Sequence, residues 1–284
     1  MKKTPAAARF THQLIKVNDQ LCFSALRQWE FEQALAPLIV TRPADFTPAI
    51  FSANPFAGNI YRKIRDLPAF SREAEQVALR MGVIAGVEHS LAYLEEVQSL
   101  RQSLIKSVED GIKDDAEEEQ LRRKIERWSG KSPDAGHFLT LGYLRFLRNH
   151  YAHVNDKPSA AFGRYISSYG TPLNKFWNNH ATDLHGIDFR TLASVTLTPD
   201  LTFGIMNVMR VCLQHVDCLV ADTLSVTAVV QYLLDEIFQS PRDSRLGIER
   251  IASKVKHRLR MAWNIHLSLP VVAEEVERCI ANRL

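Results

Sequence analysis

The chain has 284 residues, which fits one large domain or two small ones and is long enough to bury a hydrophobic core without disulfides or metals. Hydrophobic residues make up 46% and charged residues 24%, a composition that excludes a mainly disordered chain. The 35 Lys and Arg against 32 Asp and Glu leave a net charge of +3, which excludes a protein that coats nucleic acid by bulk charge but not one with a local phosphate site.

Cysteine usage and the N-terminus indicate the cellular compartment. There are four cysteines and no C-x-x-C pair, namely Cys22, Cys212, Cys218 and Cys279. A chain of this length does not need a disulfide framework, so we interpret them as reduced thiols. No apolar run of signal-peptide length follows Lys2 and Lys3, and the longest uncharged run, 46–61, is interrupted by prolines and a glycine. We therefore expect a cytoplasmic protein that does not interact with a membrane.

The first third of the chain predicts two helices around an irregular segment. Apolar residues at helical spacing predict a helix over 10–36. Five prolines then predict a mostly irregular segment over 37–70, with a short helix near 60–65. A long helix follows, from an N-cap at Ser71 to about Leu104, and a helix of over thirty residues needs a partner along its length.

The rest of the chain is also predicted to be helical. The predicted helices are a charge-dense one over 109–127, a strongly apolar one over 137–154, and further ones over 199–223, 225–238, 246–267 and 271–283. Between 158 and 198 we expect shorter pieces, with turns at 170–172 and 178–180 and one weak strand at 193–197. The fold class is therefore all-α. We expect three regions: an N-terminal helix with a proline-rich segment (1–70), a central helical domain (71–224) and a C-terminal helical extension (225–284).

The helix over 137–154 carries apolar residues around most of its circumference, which predicts burial among other helices or at an oligomer interface. Near its end it also carries Arg148, Asn149, His150 and His153. Such side chains are costly to bury unless they are paired or line a wet cavity. Asn149 and His153 are four residues apart and share a face, with Arg148 on the adjoining flank.

This set of side chains suits the cleavage of RNA by its own 2′-hydroxyl. A histidine titrates near neutral pH and can take the hydroxyl proton. An arginine presents a fork of donors to the phosphate oxygens, and an asparagine can orient either partner. This chemistry requires no metal and no cofactor.

The run from Leu147 to His153 resembles the signature of the HEPN family (higher eukaryotes and prokaryotes nucleotide-binding), in which Arg is followed by four to six residues and then His, often with Asn directly after the Arg. The resemblance covers about 71–223. It implies an all-α bundle and a homodimer in which two motif helices face each other across a composite cleft. It also implies a metal-independent endoribonuclease of a toxin–antitoxin, phage-defence or RNA-processing system. Arg148 and His153 would then be the catalytic pair, with Asn149 supporting them, and His150 and Arg145 would be cleft residues.

Other interpretations of these residues remain open. Arg148 could form a structural ion pair with Glu88 or Glu95, and His153 could be a helix-end histidine that interacts with the helix dipole. A metal could bind His150 and His153 together with His137 or Asp156. We interpret His180, Asp183 and His185 as surface residues. A non-catalytic module that keeps the HEPN fold for RNA or protein binding is the alternative function. No phosphate-binding glycine loop or G-x-S-x-G elbow occurs, so an ATPase, a nicotinamide enzyme or a hydrolase of that type is not expected.

A basic stretch near the C-terminus is a candidate RNA-binding face. Residues 242–260 hold seven basic side chains against two acidic ones. Arg250, Lys254 and Arg258 are four residues apart and line one helix face, as a track for backbone phosphates would. A solvated basic face is the alternative. The partners that we expect are RNA, a second copy of the chain through the motif helix, and an antitoxin or sensor protein.

Overall fold

The computed structural model describes residues 2–105, 116–152, 158–180, 184–191, 196–240 and 246–282. This part of the chain contains ten α-helices and no strand, apart from one isolated bridge between Phe46 and Lys63. The predicted all-α class is confirmed. The helices are α1 (Pro5–Thr41), α2 (Thr47–Ile50), α3 (Leu67–Ile105), α4 (Glu117–Ser129), α5 (Ala135–Ala152), α6 (Ala160–Asn178), α7 (Pro199–Asp222), α8 (Val226–Phe238), α9 (Ile248–Trp263) and α10 (Leu269–Ala281).

Helices α1 and α3 form a long antiparallel hairpin. The rings of Phe10 and Tyr93 lie 5.6 Å apart, and the side chains of Gln28 and Ser71 are hydrogen bonded near the other end. Between them Leu21 packs onto Gly82, where a Cβ atom would lie 2.6 Å from the leucine side chain. The missing side chain thus allows the two helices to approach closely. This pairing supplies the partner that the long helix was expected to need.

The tip of the hairpin differs from the prediction in two places. Helix α1 continues through Pro37 to Thr41, because the following residues pack with Leu35 into a small separate core. Helix α3 begins at Leu67, and Ser71 is a buried residue inside the helix rather than its N-cap. The boundary expected at residue 70 therefore falls within the first turn of α3. The connection contains α2 and two short 3-10 helices, Ala57–Asn59 and Ile64–Asp66.

Helix α5 is the central helix of the bundle and is packed against α3, α4, α6 and α7. Its apolar side chains Phe138, Leu141, Leu144 and Leu147 are buried in the main core, as the sequence predicted. Towards its C-terminal end the side chains become half-buried. The motif therefore lies where a buried helix reaches the surface.

Helix α6 was predicted as separate short pieces and is a single helix. Pro172 lies inside it, and the predicted turn at 170–172 is wrong. The helix survives because its apolar side chains, Leu173 and Trp177 among them, are buried in the main core. Gly170 fits this packing, since a Cβ atom there would lie 2.7 Å from the backbone oxygen of Phe189.

Helices α8, α9 and α10 share a second core, which packs against the end of α3 at Leu100 and Leu104. Two helical stretches, Ile64–Ile105 and Pro199–Asp222, are long and apolar enough to cross a membrane by length and composition. Both contribute to the main core, as apolar helices of soluble proteins also do, so they give only weak support for a membrane role.

Candidate functional site

The C-terminal end of α5 brings Arg148 and Asn149 together. The Arg148 Nη1 atom donates a hydrogen bond to Asn149 Oδ1 at 2.7 Å, and Nη2 forms an ion pair with Glu88 of α3. The Arg148 Nε atom is buried and has no hydrogen-bond partner. The guanidinium is thus held between a carboxylate on one helix and an amide on its own helix.

The alternative interpretation of Arg148, an ion pair with Glu88, is therefore present in the structure. The pair lies at the surface: the side chain of Arg148 is 31% exposed and that of Glu88 is 44% exposed. A phosphate can reach such an arginine, but it must share the guanidinium with the carboxylate or replace it. An exposed pair of this kind contributes at most about 1 kcal/mol to stability, so the exchange costs little.

The predicted base, His153, lies outside the described residues, and so does Asp156. The distance between Arg148 and His153 is thus not part of the described geometry. His150 is half-buried, and its ring centroid lies 5.5 Å from that of Tyr151.

Arg145, the second expected cleft residue, contacts α4. Its Nη2 atom lies 3.0 Å from Glu118 Oε1, and its guanidinium stacks on the ring of Phe146. The Glu118 side chain is only 7% exposed. The charge of Arg145 therefore compensates a buried carboxylate and holds α4 against α5.

A cavity of about 170 Å³ lies on the adjoining side of α5. Tyr143, Leu147 and Tyr151 line it at successive helical turns, with Asp188 on the opposite wall. Burial raises the pKa of Tyr151 to about 12, although the nearby Arg80 guanidinium acts in the opposite direction. This cavity was not predicted from the sequence. The four-residue spacing of Tyr143, Leu147 and Tyr151 shows in the sequence that they share one face of α5. The sequence does not show which residues form the opposite wall.

The alternative metal set that includes His137 is not brought together. His137 and His150 are thirteen residues apart on the same helix, a separation of about 20 Å along its axis. His137 instead stacks on His215 of α7, with ring centroids 3.9 Å apart. Within the described ranges no group of three or more His, Cys, Asp or Glu is arranged to hold a metal ion.

His180 was predicted to be a surface residue and is only half-exposed. Its ring contacts the ring of His137 at 5.5 Å, so it belongs to the histidine cluster. Of its two predicted surface neighbours, Asp183 lies outside the described residues, and His185 adopts a positive φ of 45°.

The candidate RNA-binding face lies on α9, in the C-terminal three-helix unit. Arg250 and Lys254 are exposed, as predicted. Arg258 forms an ion pair with Glu236 of α8 at 3.0 Å, which ties its charge to the neighbouring helix. This unit packs against α3 at Leu100, about 18 Å along the helix from Glu88. The basic face thus belongs to a different helical unit from the motif.

No protein-family model, curated protein or solved structure matches this chain. The resemblance to the HEPN family is therefore carried by the sequence motif, and the all-α class agrees with it.

Proposed function

We propose that the chain is a metal-independent endoribonuclease of the HEPN type. The observation that carries the proposal is the hydrogen-bonded pair of Arg148 and Asn149 at the surface end of a central buried helix. The resemblance assigns a catalytic role to this position, and His153 follows it closely in the sequence.

In the proposed reaction His153 removes the proton from a ribose 2′-hydroxyl, and the resulting oxygen attacks the adjacent phosphorus. The bond to the 5′-oxygen breaks, and this oxygen takes up a proton as it leaves. Arg148 stabilises the charge that develops on the phosphate oxygens, and Asn149 orients the guanidinium. The expected products carry a 2′,3′-cyclic phosphate and a 5′-hydroxyl.

The proposed setting is a toxin–antitoxin or phage-defence system in the cytoplasm. Such an enzyme must be restrained in its host, so an antitoxin or sensor protein is the expected partner. The resemblance also implies a homodimer through the motif helix. Because α5 is enclosed along most of its length, a second copy would meet it at the end that carries Arg148.

The test is RNA cleavage by the purified protein in the presence of EDTA. Arg148→Ala and His153→Ala are expected to abolish cleavage. Arg72→Ala and His12→Ala change exposed residues far from the motif along α3 and α1 and serve as matched controls. Equal cleavage by the wild type and both motif variants, or no cleavage by any protein, would overturn the proposal.

The ion pair between Arg148 and Glu88 favours a second candidate, a non-catalytic HEPN-fold module that binds RNA or a protein. The cleavage assay above separates the two functions, and Glu88→Gln tests whether Arg148 binds phosphate at all. If Arg148 binds phosphate, removing the competing carboxylate charge should tighten RNA binding, and Arg148→Ala should weaken it. If Arg148 is structural, neither variant should change RNA affinity and both should destabilise the fold slightly.

A further inference from the structure

The outward side of the α1–α3 hairpin exposes large apolar side chains. Phe23 and Leu26 on α1 are 62% and 52% exposed, and Val77 and Met81 on α3 are 61% and 57% exposed. Phe23 is two residues from the buried Leu21, so it lies about 200° around the helix from the core-facing side. Exposed apolar clusters of this kind indicate a binding partner.

The four apolar side chains lie at the same level of the hairpin. The contact of Leu21 with Gly82 and the hydrogen bond between Gln28 and Ser71 fix how α1 and α3 run alongside each other. Residues 23–26 therefore lie beside residues 77–81. We refer to Phe23, Leu26, Val77 and Met81 as the hairpin patch.

Four of the six Asp, Glu, Lys and Arg side chains of α1 are arranged symmetrically around Phe23; the other two are Arg9 and Glu32. Lys16 lies seven residues before it and Glu30 seven residues after it, while Asp19 lies four residues before it and Arg27 four residues after it. All four charged side chains are exposed, and none forms an ion pair with another described residue. Each of these four charges thus has the opposite charge at the mirrored position.

We propose that the hairpin patch binds a second copy of this chain, with the two α1 helices antiparallel around a two-fold axis at Phe23. In this register Lys16 lies opposite the partner's Glu30, and Asp19 lies opposite the partner's Arg27. Opposite charges that flank an apolar seam set partner choice and orientation in paired helices. A parallel pair would place each charge against its own copy, so the pattern selects the antiparallel arrangement.

A second copy fits this surface because its charge pattern is complementary to itself, as an isologous two-fold interface requires. Helix α1 has 37 residues and is about 55 Å long, which gives both copies room to pair along it. Glu88 follows Met81 by seven residues and therefore lies on the same face of α3. The two Arg148–Glu88 pairs would then lie on either side of the two-fold axis.

The experiment measures the mass of the full-length chain by sedimentation velocity over a range of concentrations. The wild type is expected to associate through the patch, as a dimer or, where the motif helices pair as well, as a larger assembly. Asp19→Arg alone and Arg27→Asp alone each place like charges opposite each other, and each should raise the dissociation constant at least about tenfold. Phe23→Ser should weaken the assembly as well. Val40→Ser is the control, because Val40 is 82% exposed on α1 but lies outside the patch.

The charge swap gives the decisive result. The double variant D19R/R27D restores opposite charges across the axis and should dimerise like the wild type, and an equimolar mixture of the two single variants should form a heterodimer. Three results would overturn the proposal. They are a wild type that stays monomeric, single charge reversals that leave the dissociation constant unchanged, and a double variant that associates as weakly as the single variants. Circular dichroism checks that each variant keeps its helices. The readout does not depend on ribonuclease activity, and any additional interface at the motif helix is common to all variants.

Discussion

Replacing His137 by phenylalanine tests how strongly the buried histidine cluster makes the fold sensitive to acid. His137 is 4% exposed and stacks on His215, with the rings of Phe176 and Trp177 against it edge-on. Its Nδ1 atom is buried without a hydrogen-bond partner. A phenyl ring keeps the stacking and cannot be protonated.

The magnitude follows from the pKa of His137. Burial, together with smaller contributions from the nearby His215 and His180, lowers this pKa from 6.5 to about 4, while Asp134 opposes the shift. Above pH 6.5 the ring is neutral in both the folded and the unfolded chain, so its protonation does not affect stability. Below pH 6.5 the unfolded chain binds a proton that the folded chain excludes. The free energy of unfolding should therefore fall by about 3 kcal/mol between pH 6.5 and pH 4, at about 1.4 kcal/mol for each pKa unit.

The assay is urea denaturation of the wild type and His137→Phe at several pH values between 7 and 4. The wild type should lose about 3 kcal/mol more than the variant over this range, because all other titrating groups are common to both proteins. His215, whose pKa is also lowered by burial, leaves a residual acid sensitivity in the variant. His257→Phe on the exposed side of α9 is the control and should behave like the wild type. Parallel pH profiles for the wild type and His137→Phe would refute the reasoning.

Four further predictions address packing and RNA binding. Arg145→Leu leaves the Glu118 carboxylate buried without its partner and should lower the free energy of unfolding by about 3 kcal/mol, as measured in urea; an unchanged value would contradict the role assigned to this pair. Gly170→Ala forces a methyl group against a backbone oxygen and should cost roughly 1–3 kcal/mol, seen as a lower melting temperature. Arg148→Lys keeps the positive charge but cannot bind a phosphate group through two nitrogen atoms at once, and it should slow RNA cleavage about 100-fold. Near-normal rates would argue against phosphate binding by the guanidinium. Lys254→Ala should weaken RNA binding and flatten its dependence on salt, and an unchanged salt slope would exclude a phosphate contact.

The spacing of apolar residues predicted the helices well where one helix face is buried along its whole length. The prediction failed where a proline or a capping residue in the sequence suggested a helix end that packing overrides. Pro37 and Pro172 each remove a backbone donor, yet both helices continue because apolar side chains that follow pack into a core. Ser71 looks like an N-cap in the sequence, but it is hydrogen bonded to Gln28 across the hairpin. In each case a contact distant in the sequence determined the local structure.

The sequence could predict those contacts of the candidate site that lie within one helix, but few of the contacts between helices. The contact between Arg148 and Asn149 follows from their adjacency on α5, and Glu88 was correctly named as a possible partner. The partner of Arg145 could not be predicted, because spacing on one helix does not show which other helix packs beside it. The cavity beside Tyr151 could not be predicted for the same reason, since residues distant in the sequence complete it, among them Asp188 and Leu201.

The net charge of +3 is the sum of charged side chains that are arranged differently in different parts of the fold. Inside the bundle, opposite charges such as Glu118 and Arg145 hold neighbouring helices together and leave little charge for a ligand. On α1, exposed charges of both signs also cancel. The order of four of them around Phe23 indicates a self-complementary surface only once the structure shows that this face of the helix is exposed. A chain that is nearly neutral overall can in this way carry a self-complementary surface and, on α9, a separate basic face. The order of the charges along each helix, rather than their total, determines which partners this protein can bind.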